Sequence, residues 1–166
     1  MTTGTLVRAF VGVGANLGDA CAQVESGIAA LRSLQSTQLR ARSGLYASAP
    51  VDAPGPDYVN AAVELATALP AADLLRELHA IEARHGRVRT KANAPRTLDL
   101  DLLLYGEQRS DEPALRLPHP RLHERAFVLL PLLEIAPQLQ VPGLGALSSW
   151  LPRVSGQQVT RLGGRS

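Results

Sequence analysis

Residues 91–106 read KANAPRTLDLDLLLYG and place two aspartates, Asp99 and Asp101, one leucine apart in an apolar run. Alternate residues of a β-strand point to opposite faces of a sheet, so the strand predicted over residues 98–105 has a leucine face and an acidic face. Tyr105 is expected on the acidic face. The residues expected to face the core are Leu98, Leu100, Leu102 and Leu104.

The two carboxylates are expected to share a cation. Residues two apart on one face of a strand are separated by roughly 6.5 to 7 Å, and like charges at that distance repel unless a positive group intervenes. A solvated face, or pairing with nearby arginines, is the alternative. Phosphate chemistry is favoured because carboxylate-bound Mg²⁺ beside guanidinium groups suits a polyphosphate. The basic cluster that precedes the acids comprises Arg84, Arg87, Arg89, Lys91 and Arg96.

Composition indicates one globular domain over residues 1–166, with a glycine-rich tail from about residue 161 expected to fray. Hydrophobic residues make up 45% and charged residues 19%, and the formal net charge is +2. The near-neutral total argues against extended nucleic-acid binding. No run of about 20 apolar residues or secretion-signal pattern occurs, and Cys21 is the only cysteine, so a cytoplasmic protein is expected.

The order of predicted elements favours an α+β fold, with helices packed on a mainly antiparallel sheet. Predicted strands cover residues 6–13 (ending in a turn at Gly14), 38–46, 58–68 and 98–105. Predicted helices run from an Asp19 cap to about residue 34, from Pro70 to a stop at Gly86, over 119–136, and over 144–151.

Three further features of the sequence each allow more than one interpretation. The stretch GVGANLG at residues 12–18 lacks the G-x-G-x-x-G spacing and is interpreted as a tight turn. His119 and His123 lie four residues apart, but without an evident third ligand zinc is disfavoured. Glu82 falls at the margin of an apolar helix face, where a carboxylate is paired, functional, or reaching water over a buried stem.

Five motifs together resemble the 6-hydroxymethyl-7,8-dihydropterin pyrophosphokinase family. PRTLDLDLLLYG at residues 95–106 is the most specific. The others, in the family's order, are GANLGD at 14–19, DYVNAAVEL at 57–65, IEARHGRVR at 81–89 and LPHPRLHERAFVLLPLLEIAP at 117–137.

The resemblance implies a reaction, a fold and a metal site. The reaction is transfer of pyrophosphate from ATP to the hydroxymethyl group of the pterin, releasing AMP, in folate biosynthesis. The fold is a ferredoxin-like three-layer sandwich. Asp99 and Asp101 would hold two Mg²⁺ ions, and one of the two carboxylates would accept the proton of the pterin hydroxyl. A monomer that binds neither nucleic acid nor membrane is expected.

Site residues are also implied by the resemblance. The catalytic set is Arg87, Arg96, Asp99 and Asp101. The ATP-binding set is Glu82, Arg87, Arg89, Arg96, Leu102, His119 and Arg125. The pterin-binding set is Gly14, Asn16, Ser48, Val51, Tyr58, Asn60, Asp99 and Phe127.

The sequence departs from the family pattern near the basic loop. TKANAPR at residues 90–96 has no tryptophan where many members carry one, and Thr90 stands where a lysine often occurs. Ala15 and Ala49 replace a common serine and a common proline. These departures bear on loop closure and nucleotide affinity more than on the reaction.

Two rival functions remain at this level. A non-catalytic RNA- or protein-binding module is disfavoured because a nucleic-acid-binding sheet presents aromatic side chains, whereas this strand presents two acids. Another Mg²⁺-dependent phosphotransferase on the same scaffold is the second rival.

Overall fold

The computed structural model describes residues 5–16, 19–48, 57–85 and 98–162. These residues form mixed α and β structure, in agreement with the α+β prediction. The strands are β1 (Val7–Ala15), β2 (Thr37–Arg42), β3 (Tyr46–Ser48), β4 (Tyr58–Thr67), β5 (Asp99–Tyr105), β6 (Ser110–Glu112), β7 (Leu115–Leu117), β8 (Gln140–Val141), β9 (Gly145–Ala146) and β10 (Val159–Arg161). The helices are α1 (Ala20–Arg32), α2 (Ala71–Arg84), α3 (Ala126–Ile135) and a 3₁₀ helix (Leu147–Val154).

The main sheet is antiparallel throughout and is organised around β4. One edge of β4 pairs with β1, which in turn pairs with β5. The other edge pairs with β2 near one end and with β3 near the other, and β10 adds to the outside of β3. The hairpins β6–β7 and β8–β9 form two separate small sheets.

Each face of the main sheet carries its own hydrophobic cluster. Helices α1 and α2 cover one face, which we call the core face, with buried residues such as Ile28 and Leu78 packed on the sheet. Helix α3 and the 3₁₀ helix lie on the opposite face, which we call the cleft face, and bury Leu129 and Leu147. Among the described residues, no helix has both the length and the apolar character that crossing a bilayer requires.

A β-bulge corrects the predicted facing of strand β5. The ladder shifts by one residue, because Phe10 pairs with Leu104 while Val11 pairs with Leu102. As a result Leu104 joins the cluster on the cleft face and Tyr105 joins the cluster on the core face, the reverse of the prediction. Before the bulge the prediction holds, since Leu98, Leu100 and Leu102 lie in the core-face cluster.

Strand β1 also corrects the sequence interpretation. It continues to Ala15, so Gly12 and Gly14 lie inside a strand and not in a tight turn. The cap prediction at the following helix is confirmed, because the Asp19 carboxylate accepts a hydrogen bond of 3.1 Å from the backbone N–H of Ala22. Pro70, predicted in the first turn of the helix, is the N-cap residue that directly precedes α2, and the predicted stop at Gly86 lies outside the described residues.

The predicted strand over residues 38–46 is two strands. The break falls at Ser43, whose backbone N–H donates to the carbonyl of Ala62 and whose hydroxyl accepts from the N–H of Ala62. A side chain therefore substitutes for one backbone partner of β4 and interrupts the regular ladder.

The predicted helix over residues 119–136 begins only at Ala126. The backbone N–H of His119 donates to the carbonyl of Leu103 in β5, which ties this segment to the sheet. Residues 120–124 then form turns before the helix starts. Pro131 is accommodated inside α3.

The C-terminal segment is more ordered than predicted over its described part. The helix predicted over residues 144–151 is a 3₁₀ helix over Leu147–Val154. Arg161, where the frayed tail was predicted to begin, is the last residue of β10, and its guanidinium forms an ion pair with Glu134. The tail prediction therefore concerns only residues 163–166, which lie outside the described residues.

Candidate active site

The floor of the site is a bare patch of sheet on the cleft face. Residues that pair directly across neighbouring strands share a face, and Gly14 of β1 pairs with Asp99 on one side and Asn60 on the other. One pair further along, Gly12 lies between Asp101 and Ala62. The two acids of β5 are thus separated from β4 by backbone that carries no side chain.

Position 14 requires a glycine because the Asn60 side chain occupies the space above the backbone. A Cβ atom at this position would lie 2.8 Å from Oδ1 of Asn60, closer than real Cβ contacts allow. At Gly12 the same atom would meet Leu103 at 3.5 Å, an ordinary contact. The glycines of the GVGANLG stretch therefore keep the floor open, and Gly14 leaves room for the Asn60 amide.

The floor belongs to a cleft of about 750 Å³ between the sheet and the start of α3. Asp99, Asp101 and Leu103 line its β5 side. Phe127 and Val128, from the first turn of α3, line the facing side. A volume of this order accommodates a small heterocyclic ligand with part of a second substrate.

A buried carboxylate supports the acidic pair from behind. Glu82 of α2 is 2% exposed, and its Oε2 accepts a hydrogen bond of 2.7 Å from the backbone N–H of Leu100. Leu100 is the residue between Asp99 and Asp101, so this contact fixes the backbone that carries both acids. The structure shows Glu82 holding β5, and its predicted ATP contact stays a prediction.

A polar pair lies at the β4 end of the floor. Asn60 and Ser48 are each 7% exposed, and the Asn60 amide donates to the Ser48 hydroxyl at 3.2 Å. Both residues line the cleft together with Tyr58. Because a buried amide and hydroxyl orient one another, they present fixed polar groups to the edge of a planar ligand.

A cationic and aromatic pair lies at the other end. The Arg125 guanidinium carbon is 5.5 Å from the centroid of the Phe127 ring, and both residues line the cleft. A guanidinium near an aromatic face can engage both an anion and a flat ring system.

His119 lies near these charges and is held neutral. Burial lowers the pKa of its imidazole, the positive charge of Arg125 lowers it further, and the negative charge of Asp99 opposes them. Its Nδ1 accepts a hydrogen bond of 3.1 Å from the backbone N–H of Arg121, so the proton of the neutral ring is on Nε2.

The structure brings together six of the predicted pterin-site residues with Asp101 and Arg125. The residues lining the cleft from those predictions are Gly14, Ser48, Tyr58, Asn60, Asp99, Asp101, Arg125 and Phe127. The residues that do not line its described part are Asn16, Glu82, Leu102 and His119. Leu102 is buried in the core-face cluster. The predicted site residues outside the described part of the chain are Val51, Arg87, Arg89 and Arg96.

Sequence reasoning missed several lining residues. Arg121, Glu124 and Val128 fall inside the motif at residues 117–137, so that motif was the available signal. Leu103 follows the acids by the same two-residue step along the cleft face. Residues 157–159 also line the cleft, and nothing in their sequence indicates it.

The model of the 7,8-dihydro-6-hydroxymethylpterin-pyrophosphokinase family matches residues 10–137. That range contains the floor residues Gly12, Gly14, Asn60, Asp99 and Asp101. The chain belongs to this pyrophosphokinase family. Two curated relatives agree: proteins of Pseudomonas aeruginosa and Haemophilus influenzae, each named 2-amino-4-hydroxy-6-hydroxymethyldihydropteridine pyrophosphokinase, are 42% and 35% identical to this chain. The matches cover 95% of this chain and 98% and 99% of the two relatives.

Solved structures of the pyrophosphokinase family share the fold. The Plasmodium falciparum HPPK-DHPS wild type with pterin and p-hydroxybenzoate matches with a TM-score of 0.71 at 12% identity, over 93% of this chain. The same protein with STZ-DHP gives a TM-score of 0.68 at 12% identity. In both cases this chain spans 43% of the longer protein.

Proposed function

We propose that the protein transfers pyrophosphate from ATP to the hydroxyl of 6-hydroxymethyl-7,8-dihydropterin, a step of folate biosynthesis. The pterin oxygen forms a bond to the β-phosphorus of ATP, and the bond from that phosphorus to the α-phosphate oxygen breaks. The products are AMP and the pterin diphosphate. Membership of the pyrophosphokinase family supports this reaction.

One observation carries the proposal. Asp99 and Asp101 line a cleft whose floor is the backbone of Gly12 and Gly14. A pterin seated on this bare floor would bring its hydroxymethyl group beside the carboxylates. The Asn60–Ser48 pair would then receive the polar edge of the heterocycle, with Tyr58 and Phe127 as apolar partners.

The donor set fits magnesium. Asp99 and Asp101 supply hard oxygen ligands on one face of a strand, and Mg²⁺ is commonly bound by one or two carboxylates together with substrate phosphates. We propose that these two residues hold two Mg²⁺ ions in the ternary complex. When bound, the ions would neutralise phosphate charge and align the triphosphate.

Side chains of the protein would accept the proton and bind the nucleotide. One carboxylate of the Asp99–Asp101 pair would accept the proton of the pterin hydroxyl. Arg125 would bind phosphate charge from the α3 side of the cleft. Neutral His119 would offer its Nε2–H as a hydrogen-bond donor to the nucleotide.

The basic residues between α2 and β5 in the sequence complete the proposal. Arg87 and Arg96 would stabilise charge that develops on the transferring phosphates, with Arg89 nearby. Glu82 and Leu102 would contribute to the nucleotide side, and Asn16 and Val51 to the pterin side. These assignments are proposed from the resemblance of the motifs.

The finer description of the molecule is also proposed. The order β1–α1–β2–β4–α2–β5, with helices on both faces of an antiparallel sheet, supports a ferredoxin-like three-layer sandwich. A monomeric cytoplasmic enzyme without nucleic-acid partners is the accompanying proposal.

The test is AMP release, measured by chromatography with each component withheld in turn. The proposal predicts equimolar AMP and pterin diphosphate, formed only when ATP, hydroxymethyl-dihydropterin and Mg²⁺ are all present. ADP as the product, or AMP formation without the pterin, would instead favour another phosphotransferase or a nucleotide hydrolase. No turnover together with tight RNA binding would favour the non-catalytic alternative.

A further inference from the structure

The segment that follows the family-matched region returns to the cleft. The family model ends at residue 137, yet Gln157, Gln158 and Val159 line the cleft beside Phe127. Strand β10 reaches this position by pairing with β3, where Val159 lies opposite Ser48. The C-terminal segment thus forms one wall next to the Asn60–Ser48 pair.

Gln157 uses both ends of its amide on the turn that precedes α3. Its Oε1 accepts a hydrogen bond of 2.9 Å from the backbone N–H of Ala126, and its Nε2 donates to the carbonyl of Glu124 at 2.9 Å. The partners dictate the orientation of the amide, because an N–H requires an acceptor and a carbonyl requires a donor. The two contacts lie on either side of Arg125.

The backbone N–H groups at the start of α3 need hydrogen-bond acceptors from outside the helix. Arg125 is the N-cap residue of α3 and has an extended backbone, with φ of −125° and ψ of 118°, and its side chain makes no capping hydrogen bond. The first N–H groups of a helix have no partner within the helix. Gln157 supplies one to Ala126 from 31 residues away.

The residues on this turn are the cleft residues Arg125 and Phe127. Because Gln157 bonds the peptide groups on both sides of Arg125, it restrains the backbone from which the guanidinium extends. Phe127 follows one residue after the restrained N–H. A change at Gln157 would therefore move both the cation and the aromatic ring.

The strand that follows Gln157 is anchored at its far end. Four residues later, the Arg161 guanidinium donates to both carboxylate oxygens of Glu134 at 3.2 Å, and the Tyr46 hydroxyl donates to Oε1 of Glu134 at 2.6 Å. Together with the β3–β10 ladder, these contacts fix β10, which begins two residues after Gln157.

We propose that Gln157 is a positioning residue for substrate binding, acting through Arg125 and Phe127. This inference rests on the proposed function, since it assigns those two side chains to the substrates. It extends the functional site beyond the family-matched region into the C-terminal segment.

Steady-state kinetics of Gln157→Ala test the inference, with Gln140→Ala, at the exposed position of β8, as the matched control. Loss of two hydrogen bonds is expected to lower kcat/KM about tenfold, mostly through a higher KM for the substrates. Gln157→Glu keeps the acceptor for Ala126 but loses the donor, so a smaller loss of about threefold is expected. Amide exchange at Ala126 should become about tenfold faster in Gln157→Ala.

A double-mutant cycle with Arg125→Ala separates positioning from general structural damage. In the Arg125→Ala background, Gln157→Ala should cost less than about threefold, because its effect passes partly through the side chain already removed. An undiminished tenfold loss there, or wild-type kinetics in Gln157→Ala, would overturn the inference while leaving the reaction intact. A wild-type protein that releases no AMP would instead refute the proposed function, and the inference with it.

Discussion

The two faces of the β1–β5 strand pair should respond differently to substitution. On the core face, Leu98, Leu100 and Val13 pack beneath α1 and α2. On the cleft face, the same strands present two aspartates beside two glycines. Alternation lets one stretch of backbone serve both roles, so substitutions at neighbouring positions should separate stability from activity.

The largest expected effect is on the acids of the cleft face. Asp99→Ala and Asp101→Ala should each lower kcat at least about a hundredfold. Each removes a proposed ligand of the metal that balances the charge of the phosphates. Thermal unfolding should change little, since both side chains face the cleft. AMP release and melting temperature measure the two effects.

Asp73→Asn in α2 is the matched control for these variants, because its carboxylate is on the surface and pairs with Arg76. It should leave turnover unchanged. Near-wild-type AMP release by both alanine variants at saturating Mg²⁺ would remove the acids from the mechanism.

The leucine between the acids should show the opposite behaviour. Leu100 is 3% exposed in the core-face cluster, so Leu100→Ala should lower the free energy of unfolding by about 2 to 5 kcal/mol. Urea unfolding followed by the fluorescence of Trp150 measures this loss. The folded variant should retain AMP release within a few fold of wild type.

Destabilisation well below 1 kcal/mol in Leu100→Ala would show that the core face does not carry the packing assigned to it. Leu100→Met, which keeps most of the volume, is the control and should cost less than about 1.5 kcal/mol.

The open floor should be sensitive at one glycine more than at the other. Gly14→Ala forces Asn60 away from its position, because the new Cβ would meet Oδ1 at 2.8 Å. We expect the Kd for the pterin, measured calorimetrically, to rise about tenfold, which corresponds to about 1.4 kcal/mol.

The control for the floor is a stability comparison with Gly12→Ala. Its Cβ would meet Leu103 at an ordinary 3.5 Å, so thermal unfolding should match wild type more closely than in Gly14→Ala. Equal pterin affinity in Gly14→Ala and wild type would show that the position of Asn60 does not contribute to pterin binding.

The smallest expected effect is a pH dependence of stability at His119. Its pKa is lowered in the folded protein, by burial first and then by Arg125, so the unfolded chain binds the proton more readily. The resulting contribution to stability is present above the ordinary pKa of about 6.5 and is lost as pH falls through the lower folded value.

His119→Asn retains an acceptor for the Arg121 N–H and removes the titration. Its urea-unfolding free energy should therefore depend less on pH below about 6.5 than that of the wild type. Parallel pH profiles for the two proteins would contradict the assignment.

The sequence predicted the strands of the site well where alternation and turn residues agreed. Leu98, Leu100 and Leu102 occupy the predicted face, and Asp19 caps α1 as predicted. The bulge beyond Leu102 was not predictable from alternation, because the register shift is a property of the β1–β5 pair and not of either strand alone.

The glycines show why the floor of the site was misjudged. In a stretch such as GVGANLG, glycines normally indicate a turn. Position 14 is a glycine for another reason, because Asn60 of a neighbouring strand occupies the space that a side chain would need. A contact between residues 46 positions apart leaves no local signal. Gln157 escaped prediction for the same reason, since its partners Glu124 and Ala126 are distant in sequence.

The proposed reaction requires Asp99 and Asp101 jointly to hold the metal that binds the nucleotide phosphates. Mn²⁺ titration of the wild type with a non-hydrolysable ATP analogue, followed by electron paramagnetic resonance, tests it directly. We expect Asp99→Asn and Asp101→Asn each to weaken Mn²⁺ binding in the complex with the ATP analogue at least about tenfold, whereas Asp73→Asn should not. Unchanged Mn²⁺ affinity in both site variants would contradict it.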